Sequence, residues 1–173
     1  MYKNILVAVD GSPSTDVVLH AVTSLAELTS ASVHVLHIKP ADLLYGPVAG
    51  TIDLEDDTEA RDIVDSAVEQ LRTAGVAADG QVLAGQKRLR AEAVLQYAHQ
   101  RGCDLIVLGP SHHAGLGAAL HDSVTRHVVA RTPVSVLLVH AVQADQEWGP
   151  ARRAGGVKPG PSVSEGSSPN RSR

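Results

Sequence analysis

Apolar and polar positions over the first 142 residues switch repeatedly between two patterns. Residues 5–9 form a short continuous aliphatic run, as expected for a strand covered on both faces. Ser12, Pro13 and Ser14 then supply helix-start chemistry, and Val18, Ala21, Val22, Leu25 and Leu28 recur at helical spacing. A second strand is predicted over 33–38, followed by a long acidic connection. Ile63, Val64, Ala67, Val68 and Leu71 mark a second amphipathic helix that stops near Gly75. Strand-like alternation covers 76–84. Ala91, Val94, Tyr97 and Ala98 predict a third helix ended by Gly102, and residues 104–108, 119–130 and 134–139 read as strand, helix and strand.

Strands and helices that take turns imply a parallel sheet with helices on both faces, because right-handed crossovers lay each helix over the sheet. The fold class is therefore an open α/β sandwich. Ligands of such sheets bind beyond the carboxyl ends of the strands where the strand order reverses. That directs attention to the turns after strands one and four, Asp10-Gly11-Ser12 and residues 109–123.

Composition changes at residue 143: from there to the end, 14 of 31 residues are Gly, Pro or Ser. A folded domain over 1–142 and a disordered tail over 143–173 are expected. The tail carries five basic and three acidic residues, which leaves the first 142 residues at −6 within the chain's net charge of −4. Nucleic acid is not an expected partner of so acidic a domain. The aromatics are Tyr2, Tyr45, Tyr97 and Trp148 alone, so the core must be aliphatic. One Cys closes no internal disulfide, five apolar residues before Asp10 are too few for a signal peptide, and no apolar run approaches the roughly 18 residues of a membrane helix. A cytoplasmic location without membrane contact is expected.

The segment 105–124 links a buried strand to a helix through a loop holding Gly109, Gly115 and Gly117. Such loops suit phosphate, since glycine lets the backbone approach and a helix N-terminus attracts negative charge. Gly115-Leu-Gly117 is weak as a dinucleotide fingerprint, and no Gly-Lys-Ser or Gly-Lys-Thr of a Walker loop occurs. The loop equally serves as plain flexible chain before a helix, and Asp10-Gly11-Ser12 as a strand-end turn with a helix cap. Nine His residues raise the question of a metal, yet His112, His113, His121 and His127 lack ligand spacing, and His34 and His37 fall on opposite faces of their strand. No metal is expected. The acidic run 53–69 reads as a solvated helix face with only Arg61 to offset it, and Lys87, Arg88 and Arg90 form a small basic cluster.

The opening Ile5-Leu-Val-Ala-Val-Asp10-Gly11-Ser12, then Cys103-Asp104-Leu-Ile-Val-Leu-Gly109, Gly115-Leu116, Ser123-Val124 and Thr132-Pro133-Val-Ser-Val136-Leu-Leu-Val139 together resemble the universal stress protein family over residues 1–142. The resemblance implies an open five-stranded parallel sheet of order 3-2-1-4-5 in the adenine nucleotide α-hydrolase-like class, and a homodimer. It also implies a nucleotide site at Ala8, Asp10, Ile38, Gly109, His112, Gly115, Asp122, Ser123 and Val124, with ATP as candidate ligand. Strand five then lies at the sheet edge with neither Pro nor charge inside it, and Val134, Val136, Leu137, Leu138 and Val139 become the dimer edge.

ATP-binding members carry Gly-x2-Gly-x9-Gly followed by Ser or Thr. Mapped here, the pattern falls on Gly109, His112, Asp122 and Ser123, so two glycines are replaced. A carboxylate at ~4 Å from a phosphate costs about 1 kcal/mol in water and about 4 kcal/mol at an effective dielectric of 20, which disfavours a triphosphate. Asp10 and Ser123 are retained, and a protonated His112 or His113 would return some positive charge. The expected function is a non-enzymatic stress-response binding module. The alternative is an adenine-nucleotide-hydrolysing or transferring enzyme of the same fold, whose Ser-Gly-Gly-x-Asp after strand one is absent from Asp10-Gly-Ser-Pro-Ser14.

Overall fold

The computed structural model describes residues 1–44, 50–53, 55–86, 89–109 and 124–140. In chain order these form β1 (Asn4–Val9), α1 (Ser14–Thr29), β2 (Ser32–Leu44), β3 (Gly50–Asp53), α2 (Asp57–Thr73), β4 (Ala78–Gly85), α3 (Arg90–Gln100), β5 (Leu105–Leu108), α4 (Val124–Arg131) and β6 (Ser135–Leu138). The parallel strands lie in the order β4-β2-β1-β5-β6. Counted as the five predicted strands, this is the order 3-2-1-4-5.

Alternation along β1 divides the core. Ile5, Val7 and Val9 pack with α1 and α2 on one face, while Leu6 packs with α3 and α4 on the other. Both faces are thus covered, which is why the strand reads as a continuous aliphatic run. Ile5, Leu6, Val7, Val33, Val35 and Ile106 are wholly removed from solvent, each contributing about 1.5–3 kcal/mol relative to exposure. Helices α2 and α3 end as expected at Gly75 and Gly102, at φ 83° and 62°. In both, the next residue's N–H returns to a carbonyl five residues back, Val76 to Leu71 at 3.0 Å and Cys103 to Ala98 at 2.9 Å.

Two features depart from the sequence reading. The second strand continues past Ile38 to Leu44, through Lys39 and Pro40, and within the acidic connection β3 pairs antiparallel with it, Ala41 opposite Asp53 and Leu44 opposite Gly50. Local pattern gave no sign of this, because Gly50–Asp53 becomes a strand only by pairing with the far end of β2. The fourth helix is described from Val124; residues 119–123 of the expected 119–130, and the whole 143–173 segment with Trp148, lie outside the described residues.

Candidate functional site

From β1 the chain steps one way through β2 to β4 and the other way through β5 to β6, so the strand order reverses between β1 and β5. The crevice beyond their carboxyl ends is where an open α/β sheet binds ligands. Ala8 stands opposite Leu108 in register, which brings the residues that follow, Asp10 and Gly109, to the same end of adjacent strands. Ala8, Ile38 and Val124 all pack against the α3/α4 core cluster. Three residues from three elements therefore lie on the same side of the sheet.

Asp10 is exposed and its Oδ1 accepts the Ser12 N–H at 3.1 Å, forming a tight turn. The cap chemistry expected of Ser12 takes another form: Pro13 is the N-cap of α1 and no side chain caps it, while the Ser12 carbonyl accepts the Thr15 N–H at 2.9 Å. Among the described residues, Ser12 Oγ and Thr15 Oγ1 are buried without a hydrogen-bond partner. Gly11 is closely covered by α2, since a Cβ there would lie 2.6 Å from Ile63 Cδ1. Gly109 is as tightly placed against α1, a Cβ there lying 2.8 Å from Val18 Cγ2. His112, Gly115, Asp122 and Ser123, with Gly117, His113 and His121, lie outside the described residues.

On the other side of the Asp10 turn, α1 and α2 enclose a groove of about 760 Å³ whose lining includes the carboxylates of Asp16, Asp56, Glu59 and Asp62 and no Lys, Arg or His among the described residues. Like charge makes it a poor place for phosphate.

The acidic run is only in part a solvated face, contrary to the sequence reading. His37 and Lys39, two apart on β2 and 4 % and 6 % exposed, reach two of its members. His37 Nε2 lies 3.0 Å from both carboxylate oxygens of Glu55, its Nδ1 lies 2.9 Å from the Val9 carbonyl, and the Lys39 ammonium pairs with Asp57. That hydrogen bond and the charge of Lys39 hold the Asp57 carboxyl below its ordinary range. Asp56 is lowered as well, chiefly by the Thr58 backbone N–H, as befits the N-cap of α2. Nothing in the local pattern singles out this grip, because it joins β2 to residues 18 positions away in the chain.

His34 and His37 take opposite faces, the first on Asp79 at 2.8 Å and the second on Val9. Among the described residues no group of three or more His, Cys, Asp or Glu is placed to hold a metal, and no helix is long and apolar enough to cross a membrane. At the β6 edge, Val134 and Val136 pack on the α3/α4 cluster and Val139 on the α1/α2 cluster, whereas Leu137 and Leu138 are 37 % and 42 % exposed.

Comparison with known proteins gives one consistent likeness. A family model described as the universal stress protein family matches residues 1–140. Universal stress protein Sll1388 of Synechocystis is 30% identical over 153 residues, covering 80% of this chain and 97% of the relative. Among solved structures, the universal stress protein from Archaeoglobus fulgidus in complex with dAMP is 25% identical with a TM-score of 0.61, covering 80% of this chain and 98% of that one. Universal stress protein UspA from Lactobacillus plantarum is 22% identical with a TM-score of 0.65, covering 80% and 97%; that likeness shows the fold.

Proposed function

This chain belongs to the universal stress protein family, whose model matches residues 1–140, and from that premise we propose that it is a cytoplasmic, homodimeric stress-response module that binds an adenine nucleotide and does not turn it over. The observation that carries the reading is the convergence at the switch point: Asp10 and Gly109 follow adjacent strand ends, with Ala8, Ile38 and Val124 all on the α3/α4 side of the sheet. In this reading Ala8, Ile38 and Val124 take the adenine, the Asp10 carboxylate accepts hydrogen bonds from the ribose hydroxyls, and backbone at Gly109 and near Gly115 and Ser123 takes the phosphate. The dAMP bound by the Archaeoglobus relative supports an adenine nucleotide as the ligand class. ATP is a weaker ligand than AMP in this proposal, because Asp122 stands where the family pattern has glycine and His112 replaces another.

Natively purified protein, denatured and analysed by mass spectrometry, is expected to release adenine nucleotide. Calorimetric titration of the emptied protein is expected to show AMP binding at least as tightly as ATP, with Asp10→Ala weakening AMP roughly tenfold or more, about 1.4 kcal/mol. An empty protein with no heat from either nucleotide overturns the ligand assignment, and steady phosphate release from ATP overturns the non-enzymatic one.

A further inference from the structure

We infer that His37 and Glu55 form a proton-holding clamp that positions the Asp10 turn, so that the candidate nucleotide site tightens when the clamp is protonated and loosens when it is not. The ring nitrogens of His37 both face acceptors. The Val9 carbonyl, 2.9 Å from Nδ1, can only accept a hydrogen bond, so Nδ1 carries a proton. Nε2 lies 3.0 Å from each Glu55 oxygen, and an ionised carboxylate also only accepts. Either Nε2 or Glu55 therefore carries a second proton, and in both cases the pair holds one proton more than neutral imidazole beside free carboxylate. Removing that proton leaves one ring N–H for two acceptors, so either the Glu55 contact or the Val9 contact must open.

The contact joins the two sides of the turn. On one side, Val9 leads directly into Asp10, whose Oδ1 takes the Ser12 N–H. On the other, Glu55 leads into Asp56, which caps α2 through the Thr58 N–H at 2.6 Å. Helix α2 in turn closes on the turn itself through Ile63, against Gly11. The position of the first turns of α2 thus reaches Asp10-Gly11-Ser12 twice, through Ile63 on Gly11 and through His37 on Val9.

Other charged groups stand on the segments that meet at the clamp. From the α2 entry come Glu55, Asp56 and Asp57; from β2, Lys39, paired with Asp57; from α2 itself, Arg61, whose charge reaches Asp57; and from β1, Asp10. On β4 the residue opposite His37 is the apolar Val82. Asp56 and Asp57 are both held below the ordinary carboxylate range.

The clamp is tested first in the unliganded full chain by nuclear magnetic resonance from pH 5 to 9. A common inflection is expected in the His37 ring nitrogens and in the backbone amides of Gly11 and Ser12. Glu55→Gln replaces the carboxylate by an amide that can donate to a neutral Nε2, and is expected to abolish the inflection at Gly11 and Ser12. His37→Asn, which keeps a donor for the Val9 carbonyl, is expected to abolish it too and serves if Glu55→Gln folds poorly. Titration of His37 without response at Gly11 and Ser12, or an unchanged response in both variants, overturns the proposal. The effect on ligand rests on the function proposed above: AMP affinity is expected to fall about fivefold as pH rises through the inflection, in the wild type relative to Glu55→Gln, the lower range of ordinary coupling. Absence of AMP binding at any pH counts against the nucleotide site alone, while the amide titration still decides the clamp; AMP binding with the same pH profile in both proteins overturns the coupling.

Discussion

Gly109 rests against Val18, with room for no side chain between β5 and α1: a Cβ at 109 would stand 2.8 Å from Val18 Cγ2. The glycine after the fourth predicted strand is thus required by packing before any ligand is considered. Gly109→Ala is expected to lower stability by about 1–3 kcal/mol, the usual cost of overpacking. Because the clash is with one methyl group, Val18→Ala should recover part of that loss, leaving the double variant more stable than the two single losses predict. Urea denaturation of the four proteins measures this. A strictly additive result would mean that the glycine answers to something other than Val18.

Asp79 gives a stability contribution with a defined acid limit. Burial is the largest single influence and opposes its ionisation, but hydrogen bonds from His34 and Arg101, with their charges, more than offset it and hold the carboxyl below its ordinary range. A depressed folded-state pKa means that the stabilisation is complete above the unfolded value, about 3.9, and is lost as pH falls through the folded one. Asp79 is half exposed, so the contribution is at most about 1 kcal/mol. Asp79→Asn should lower the urea midpoint at pH 7, and the gap to wild type should close below about pH 4. A gap that persists undiminished at pH 2 would contradict the ionic origin.

Burial pushes the Cys103 thiol up to about 11. At pH 8 only about one molecule in a thousand then carries the reactive thiolate, and the sulfur is sheltered beside β5. Labelling by a disulfide reagent should be slow in the native protein and follow the unfolding rate when urea is added. Stoichiometric labelling within seconds under native conditions would show that Cys103 is reached without unfolding.

Elements buried on both faces were legible because their residues announce it: the aliphatic runs of β1 and β5 and the glycines that end α2 and α3 carry their information locally. What failed to show was in each case set by a distant partner. Gly50–Asp53 has no strand pattern of its own and becomes β3 by pairing with the end of β2. His37 and Glu55 look like an unremarkable strand histidine and one carboxylate of many, until α2 folds over β2 and joins them. Gly109 could be singled out from sequence, but its neighbour Val18 is 91 positions away in the chain. At the site, the switch point followed from the order of strands, so Asp10 and Gly109 could be named together; the acidic groove beside them depends on how α1 and α2 meet.

The proposed dimer turns on one strand, the exposed edge of β6. Val139 donates its N–H to Leu108 on β5 at 2.9 Å, and since backbone groups alternate in direction along a strand, those of Val136 and Leu138 point to the outer edge. That edge carries no charge or proline over 134–139, and Leu137 and Leu138 remain 37 % and 42 % exposed. Such an edge is a template for another chain, and a second copy related by a two-fold axis meets it with the same strand. Sedimentation velocity at high micromolar concentration is therefore expected to show a dimer. Leu138→Lys puts a charge on the pairing edge of each copy while leaving the monomer's core untouched, and should weaken the dimer at least tenfold, about 1.4 kcal/mol. Leu138→Pro removes an outer-edge N–H without taking a hydrogen bond from β5, and should act in the same direction if backbone pairing contributes. A monomeric wild type, or a dimer indifferent to both substitutions, would assign the interface elsewhere.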